Sequence, residues 1–410
     1  MSKKVIVVGA GAAGLMASGT LGEKGYDVLL IERNDKVARK VMITGKGRCN
    51  VTNNVSLIND LIANVPVNGR FLYGAFSKFM PSDTIDFFED MGVPLKVERG
   101  NRVFPVSDKA VDIVDALNSY SQDAGVKRIK GRVTELIITD GELRGVRLED
   151  GSEYFSDAVL IATGGKSYPL TGSTGDGYEL AKQAGHTVTE LKPSLVPLNC
   201  HEGFCMDLQG LSLRNVEISV IDMSSYKEVY RDFGEMLFTH FGVSGPLILS
   251  ASSHMKDVQP RKYEIHIDLK PALSYEQLDK RIQRDFLENA NKNFINALDA
   301  LLPKKLVPII VRLTGIKPST KVNQVTKEMR AKLVNILKDL KVTVMSLRPI
   351  EEAIITSGGV SVKEIDPKTM ESKLMGGLYF AGEVIDVDAY TGGFNLQIAF
   401  STAMCAANSI

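Results

Sequence analysis

The spacing of apolar and polar positions changes period several times along the chain, and those changes divide it into parts. The opening stretch "KKVIVVGAGAAGLMASGTLGEKGYDVLLIER" begins with a short β-branched run over Val5 to Val8 and passes through a glycine-rich turn. A helical pattern then starts at Ala12 and runs to about Glu23, and a second apolar run ends at Glu32. Short uninterrupted apolar runs of this kind predict strands buried in a parallel sheet. Residues 76 to 125 carry two amphipathic helix patterns, "SDTIDFFEDMGV" and "SDKAVDIVDALNSYSQDAGV"; each opens on Ser-Asp as an N-cap and ends at a glycine. The segment "KRIKGRVTELIITDGELRGVRLEDGSEYFSDAVLIATGG" alternates in short strands joined by "DG" turns, a meander that ends in an apolar strand.

Near residue 190 the texture shifts. After the proline-marked "LKPSLVPLN" the chain is strand-rich to about residue 270, with "NVEISVI" and "KYEIHIDL" alternating as in a barrel or sandwich with one exposed face. Residues 274–340 are helical by period and rich in Lys, Leu, Asn and Asp, after which strands return and the chain closes as strand, glycine-rich loop and helix. The economical arrangement is an α/β domain split by an insertion. Its first part is 1–190, an inserted β-rich part spans 191–273 with return strands at 341–358, a helical insert occupies 274–340, and 359–410 completes the α/β domain.

A chain of 410 residues with 44% apolar and 24% charged residues reads as a globular protein of more than one domain. Lys+Arg and Asp+Glu both number 49, which leaves no global attraction for nucleic acid or acidic lipid, so neither a polyanion nor a membrane is the expected partner. The four cysteines, Cys49, Cys200, Cys205 and Cys405, lack the paired spacing of a zinc site and the density of a disulfide scaffold, and a reducing cytoplasm fits them. "MSKK" followed by an apolar stretch resembles a secretory leader, but the closely spaced glycines behind it argue for a nucleotide-binding turn instead.

That turn is G-x-G-x-x-G, formed by Gly9, Gly11 and Gly14, with Ala12 and Ala13 opening the helix. Gly9 permits the tight turn, Gly11 removes a side chain from the path of a pyrophosphate, and Gly14 lets helix and strand approach. Unpaired N–H groups at the helix start then face the phosphates. Glu32, eighteen residues beyond Gly14 at the end of the second strand, suits ribose hydroxyls and repels a 2′-phosphate. FAD or NAD is therefore expected rather than NADP, and "VLIATGG" is expected to meet the ligand a second time.

Three separated pieces, "VIVVGAGAAGLMAS…LLIER", "VLIATGG" and "GLYFAGEVIDVDAYTGGFNLQIAFSTA", resemble the FAD-binding elements of the glutathione-reductase-type flavoproteins. More narrowly, "GKGRCNVTN", "ATGGKSYPLTGSTGDGYELAKQAGH", "GEMLFTHFGVSGP" and "GGFNLQIAFSTA" resemble the HI0933-like, or BaiN-like, flavoproteins over nearly the whole chain. The resemblance implies a split Rossmann-type FAD-binding domain with an inserted β-barrel-like domain and a helical domain. It implies FAD at Gly9, Gly11, Ala12, Ala13, Gly14 and Glu32, and again at Ala162, Thr163 and Gly164. Gly382 and Glu383 correspond to a Gly-Asp whose acid bonds the ribityl chain, with Asp386 as an alternative. Gly392, Gly393, Phe394, Asn395, Leu396 and Gln397 open the last helix toward the flavin, where negative charge gathers on reduction. The expected cofactor set also contains Arg33 and Val133, and Arg39 and Lys40 as pyrophosphate neutralisers or a solvated pair. Members of the family carry out dissimilar chemistry, including reduction of conjugated steroid double bonds and oxidation of an aminoketone.

The stretch "TGKGRCNVTN" poses a separate question. The disulfide reductases of the superfamily carry two cysteines about five apart at this point; here Cys49 stands alone, and a thiol relay needs a resolving partner. The histidines are too scattered for a metal site. What remains is a loop in which Gly45 and Gly47 bring the backbone to the cofactor while Arg48, Cys49, Asn50 and Thr52 supply polar contacts to phosphate or flavin, or a catalytic Cys49 beside the flavin. Tyr168, His240 and Tyr390 are the candidates for handling a proton. No second strand-GxGxxG-helix occurs, so NAD(P)H, if used, binds transiently. The expected activity is NAD(P)H-driven reduction of an activated double bond in a small-molecule substrate. The alternatives are an oxidase of an amine or aminoketone that forms peroxide, and a flavoprotein that acts through a macromolecular partner held by Lys304, Lys305, Lys317, Lys321, Lys327, Arg330 and Lys332.

Overall fold

The computed structural model describes residues 2–410; Met1, the first residue of the leader-like stretch, lies outside them. The chain divides into two compact units, residues 1–194 with 350–410, and residues 195–349.

In the first unit, five strands form one parallel sheet in the order Leu378–Phe380, Ala158–Ile161, Lys4–Val8, Asp27–Glu32, Lys127–Lys130. Strand order reverses beside Lys4–Val8, and in an open α/β sheet ligands bind at the carboxyl ends next to such a reversal. The central strands are apolar throughout because both of their faces are covered: every residue of Ala158–Ile161 is buried, as are Val5 to Val8. Helix Ala12–Glu23 packs against the last helix, Phe394–Ala407, and against Ala110–Asp123. Neither Ala12–Glu23 nor Phe394–Ala407 has a polar face, as expected of helices enclosed on all sides.

Several local expectations are corrected here. Lys127–Lys130 does not begin the meander but ends the parallel sheet, and the antiparallel sheet holds only Val133–Thr139, Glu142–Leu148 and Glu153–Phe155. The expected Ser-Asp caps are displaced. Helix Pro81–Asp90 starts with proline after Met80, and Asp83 sits in its first turn, accepting the Met80 N–H at 2.6 Å. Helix Ala110–Asp123 starts after Lys109. Both helices do end at glycines with positive φ, Gly92 and Gly125. Between them lies a hairpin, Leu95–Glu98 with Arg102–Pro105, joined to Thr52–Asn53. Its turn places Gly100 and Asn101 in the left-handed region, as a tight hairpin requires.

The second unit is a closed six-stranded antiparallel barrel, in the order Leu198–Cys200, Gly242–Ser244, Lys227–Phe238, Ser212–Asp222, Tyr263–Asp268, Leu340–Leu347. Closure removes the exposed edges that an open sheet of this length would present. Helices Tyr275–Glu288, Val307–Thr314 and Lys327–Lys338 share the barrel's core: Leu278, Ile282, Phe286, Leu333 and Leu337 lie in one apolar cluster with Ile265, Ile267 and Val342. The helical segment is thus part of the barrel unit, and its bounds at 274 and 340 separate elements, not cores. Residues 350–358, placed by sequence with the β-rich part, belong to the first unit, where Ile355–Ser357 pairs with Lys192–Ser194.

Candidate functional site

At the carboxyl edge of the parallel sheet a cavity opens in the first unit. It is lined by the residues that leave four of the strands: Val8 to Ala13, Glu32 to Asn34, Ala162 to Gly164, and Ala381 to Glu383. The N-terminus of helix Ala12–Glu23 faces it; Gly11 at its cap provides no side-chain acceptor and the first turn holds no acid. Those N–H groups and the helix dipole therefore remain for an anion. A Cβ built on Gly11 meets nothing within 4 Å, whereas one on Gly14 would stand 1.8 Å from the Gly9 carbonyl oxygen. Gly11 borders open space and Gly14 is a packing contact.

The Glu32 carboxylate closes one end. It accepts the Ala10 N–H at 2.8 Å on one oxygen, and the Asn34 N–H and amide, each at 2.8 Å, on the other. Arg33, Lys36, Arg39, Lys40 and Arg132 surround the cavity with positive charge. Arg132 and Arg33 are aimed by Asp176, which accepts Arg132 Nε and Nη2 at 3.0 Å each and Arg33 Nη1 at 3.1 Å. Asp176 lies in the first turn of helix Asp176–Gln183, and the arginines hold its carboxyl below the usual range against the opposing effect of burial. Glu383 lines the cavity while its oxygens accept Lys40 Nζ at 2.6 Å, the Thr356 N–H at 2.9 Å and the Ser167 hydroxyl at 3.1 Å. Thr163 Oγ1 is buried without a hydrogen-bond partner among the described residues, and Thr163 lines the same cavity.

These features fit a dinucleotide. Open space lies over Gly11 at a helix start, cations suit a pyrophosphate, an acid stands at the second strand's end, and Thr163 is an orphaned polar atom.

The sequence-derived residues divide into two groups. Gly9, Gly11, Ala12, Ala13, Glu32, Arg33, Arg39, Lys40, Val133, Ala162, Thr163, Gly164, Gly382, Glu383, Asn395 and Leu396 line the cavity. Gly14, Gly45, Gly47, Arg48, Cys49, Asn50, Asp386, Gly393, Phe394 and Gln397 are not among its lining residues. Asp386 is held elsewhere: its N–H donates to the Val360 carbonyl at 3.0 Å and its carbonyl accepts the Asn68 amide at 2.7 Å. Gln397 is fully buried, with Oε1 accepting the Thr52 and Thr84 hydroxyls and Nε2 donating to the Phe79 carbonyl and the Ser401 hydroxyl.

The "TGKGRCNVTN" loop acquires a structural explanation. Gly45, Lys46, Gly47 and Cys49 all have positive φ. Arg48 does not reach toward phosphate; it pairs with Glu98 and Asp108 and lies over the Phe104 ring at 4.2 Å. The path carries Thr52 and Asn53 to the turn before the last helix, where the Asn53 amide donates to the Gly392 carbonyl at 3.0 Å and Thr52 bonds Gln397. A Cβ on Gly393 would meet the Thr52 carbonyl oxygen at 2.3 Å. The loop braces the N-terminus of Phe394–Ala407.

Cys49 is 0% exposed, and burial pushes its thiol up to about 12, far from a reactive thiolate. In the folded protein at about pH 8, Cys49 is expected to resist alkylation by iodoacetamide, and Cys49→Ala should keep flavin reduction within about threefold of the parent. Rapid modification, read by peptide mass spectrometry, would refute this.

The proton-handling candidates are not gathered at the cavity. Tyr168 is half-buried with positive φ before a short turn, Tyr390 is half-buried with its N–H bonded to the Asn64 carbonyl at 3.0 Å, and neither lines the cavity. Burial raises both phenols, with Glu352 adding to the rise at Tyr168 and Asp388 at Tyr390. His240 is exposed in the turn between Lys227–Phe238 and Gly242–Ser244 of the second unit. Sequence reasoning missed Asn34, Gly131, Arg132, Thr171, Gly172, Ser173, Ile354 and Ile355 on the cavity wall. Gly131 and Arg132 adjoin Val133, and that adjacency was the available signal.

A parallel sheet with this turn, acid and second glycine contact defines a Rossmann-type FAD-binding fold. The model of the HI0933-like protein Rossmann domain matches residues 3–409, and the chain belongs to that family. It is an FAD-dependent oxidoreductase. The ribosomal RNA dihydrouridine synthase of Escherichia coli (strain K12) is 33% identical over 411 residues, covering 99% of this chain and 97% of that protein. The 3-dehydro-bile acid delta(4,6)-reductase of Clostridium scindens is 27% identical over 407 residues, covering 98% of each. Among solved structures, the 3-ketosteroid delta1-dehydrogenase of Sterolibacterium denitrificans shares the fold with a TM-score of 0.54 at 12% identity, covering 99% of each chain. No helix among the described residues is long and apolar enough to cross a membrane.

Proposed function

We propose that the protein uses NAD(P)H to saturate a carbon–carbon double bond conjugated to a carbonyl, and that its acceptor is a uracil ring in ribosomal RNA. The observation that carries the reaction class is the agreement of two relatives aligned over nearly their whole length. A dihydrouridine synthase and a delta(4,6)-reductase of a 3-dehydro compound differ in substrate, yet both names denote addition of hydrogen across such a bond. The uracil acceptor is favoured by 33% and 31% identity to two dihydrouridine synthases, against 27% to the bile acid enzyme. This departs from the expectation of a small-molecule substrate with nucleic acid disfavoured; the latter rested on a charge sum over the whole chain.

When bound, FAD supplies a two-electron relay from nicotinamide to the acceptor. In balance, one hydride from NAD(P)H reaches the β-carbon of the acceptor and one proton reaches the α-carbon, leaving NAD(P)⁺ and the saturated product. The chain's own residues bind and orient the cofactor. Arg33, Arg39, Lys40 and Arg132 would offset the pyrophosphate charge, Glu32 would take the ribose, and the last helix, whose Asn395 and Leu396 line the cavity and whose start Thr52 and Asn53 brace, would turn its N-terminal end toward the charge that develops on reduction.

The test is anaerobic mixing of the FAD-loaded protein with NADH and then NADPH, followed by addition of ribosomal RNA from cells lacking this activity. Bleaching of the flavin band, and uridine that gains two hydrogens by nucleoside mass spectrometry, are expected. An unbleached band with peroxide formed from an amine donor would replace this reading with the oxidase. Bleaching with a conjugated enone reduced but RNA unchanged would restrict it to small molecules.

A further inference from the structure

We infer that the helical part of the second unit carries an RNA-docking surface, formed by Lys292, Lys317, Lys321 and Lys332, that holds the phosphodiester backbone; the inference rests on the RNA reading above.

The chain is neutral as a whole, but its charge is unevenly placed. Residues 289–338 contain ten lysines and arginines against two carboxylates, Asp299 and Glu328. Several cations of this unit are paired: Arg231 with Glu217 and Glu228, Lys341 with Glu264, and, within 289–338, Arg312 with Asp207, Arg330 with Asp279 and Lys338 with Asp268. Lys292, Lys317, Lys321 and Lys332 are exposed and form no ion pair among the described residues.

The fold brings these four together from three stretches of chain. Helix Val307–Thr314 ends at Gly315, and the loop that follows carries Lys317 and Lys321. Lys332 Nζ, from helix Lys327–Lys338, lies 3.6 Å from the position of a Cβ on Gly315. Lys292 belongs to the strip alongside: its carbonyl accepts the Val322 N–H at 3.1 Å, Asn293 bridges to Lys321, and Lys321 Nζ reaches the Asn291 carbonyl at 2.8 Å. Ser319 and Asn323 add exposed polar groups at the same edge.

Four like charges on one strip, with no ion pair among the described residues, repel one another, and a polyanion laid across them relieves the repulsion while releasing its own condensed cations. Phe294, the aromatic residue next to this strip in the chain, is fully buried and offers no face for a base to stack on. The surface therefore suits backbone contact, which sets register and orientation, rather than base readout.

The experiment compares the FAD-loaded full chain with the quadruple variant Lys292→Ala, Lys317→Ala, Lys321→Ala, Lys332→Ala and with the matching quadruple Lys→Arg variant. The probe is a protein-free fragment of large-subunit ribosomal RNA, titrated across a salt series. Loss of four phosphate contacts should weaken binding about 10- to 100-fold at low salt and flatten the log–log salt slope by about 3. The arginine variant should bind as the parent does, and NADPH-driven flavin bleaching and thermal unfolding should be the same in all three. Equal affinity and slope for the alanine variant and a parent that binds RNA would overturn this surface and leave the RNA reading standing. A parent that neither binds the fragment nor forms dihydrouridine would remove the RNA reading itself. Lysine-dependent binding to phosphatidylserine vesicles without RNA binding would overturn the assignment in favour of a membrane surface.

Discussion

Gly11→Val is expected to give a folded protein without flavin, whereas Gly14→Ala is expected to damage the fold itself. The two glycines belong to one motif, three residues apart, yet the structure gives them opposite surroundings. Gly11 has φ −81° and ψ −168°, a conformation open to any residue, and a Cβ there meets nothing within 4 Å. Valine at 11 should leave the unfolding free energy of the apo protein within about 0.5 kcal/mol, as for a substitution that touches nothing. Its methyls would occupy the path of the pyrophosphate, and FAD affinity should fall at least about 100-fold, roughly 3 kcal/mol. At Gly14 the added carbon would stand 1.8 Å from the Gly9 carbonyl oxygen and 2.9 Å from its carbon. Backbone cannot rotate away as a side chain does, so helix Ala12–Glu23 must lift from strand Lys4–Val8, at a cost of about 3 kcal/mol or more. Thermal unfolding of the apo proteins, paired with FAD titration by fluorescence quenching, reads both effects. A Gly11→Val protein that binds FAD like the parent would show that the pyrophosphate does not cross Gly11.

The contrast marks how far the sequence could be read. Strand, turn, helix, strand and terminal acid are local, so Val5 to Glu32 are legible from period and glycine spacing alone. The second glycine contact near Ala162–Gly164 follows from an apolar strand ending in small residues, whereas the Gly382–Glu383 pair came from the family resemblance. The break near residue 190 was visible as a change of period. What escaped depends on partners far along the chain. Arg132 reaches the cavity because Asp176, 44 positions away, orients it. Residues 350–358 look like a continuation of the barrel, but Ile355–Ser357 pairs with Lys192–Ser194. The glycines and Cys49 of "TGKGRCNVTN" are indistinguishable by composition from a cofactor loop. Only the Asn53–Gly392 and Thr52–Gln397 hydrogen bonds, each spanning more than 300 residues, show that the loop supports the start of the last helix.

Asp388 should make the protein more stable in mild acid than at neutrality, and Asp388→Asn should abolish that part of the pH dependence. The side chain is 3% exposed, and Oδ1 has no hydrogen-bond partner among the described residues. Burial pushes the carboxyl up to about 6; Asp386 and Glu383 add to the rise, and the Ser194 and Ser357 hydroxyls oppose it. An unfolded aspartate titrates near 3.9. Between those values the native state binds a proton that the unfolded state has released, so stability is greatest below about pH 4 and falls as pH rises to about 6. The difference between the two values corresponds to about 3 kcal/mol. At pH 7 Asp388→Asn, neutral in both states, should therefore be more stable than the parent by on the order of 2–3 kcal/mol, with the gap closing toward about pH 4. Carboxylates held low by cations, such as Asp176, tilt stability the other way, so the parent alone does not isolate the effect. The difference between parent and variant in urea unfolding, measured across that range, does. A gap that stays constant with pH would mean that Asp388 titrates in the native state as it does unfolded, so that burial does not raise it.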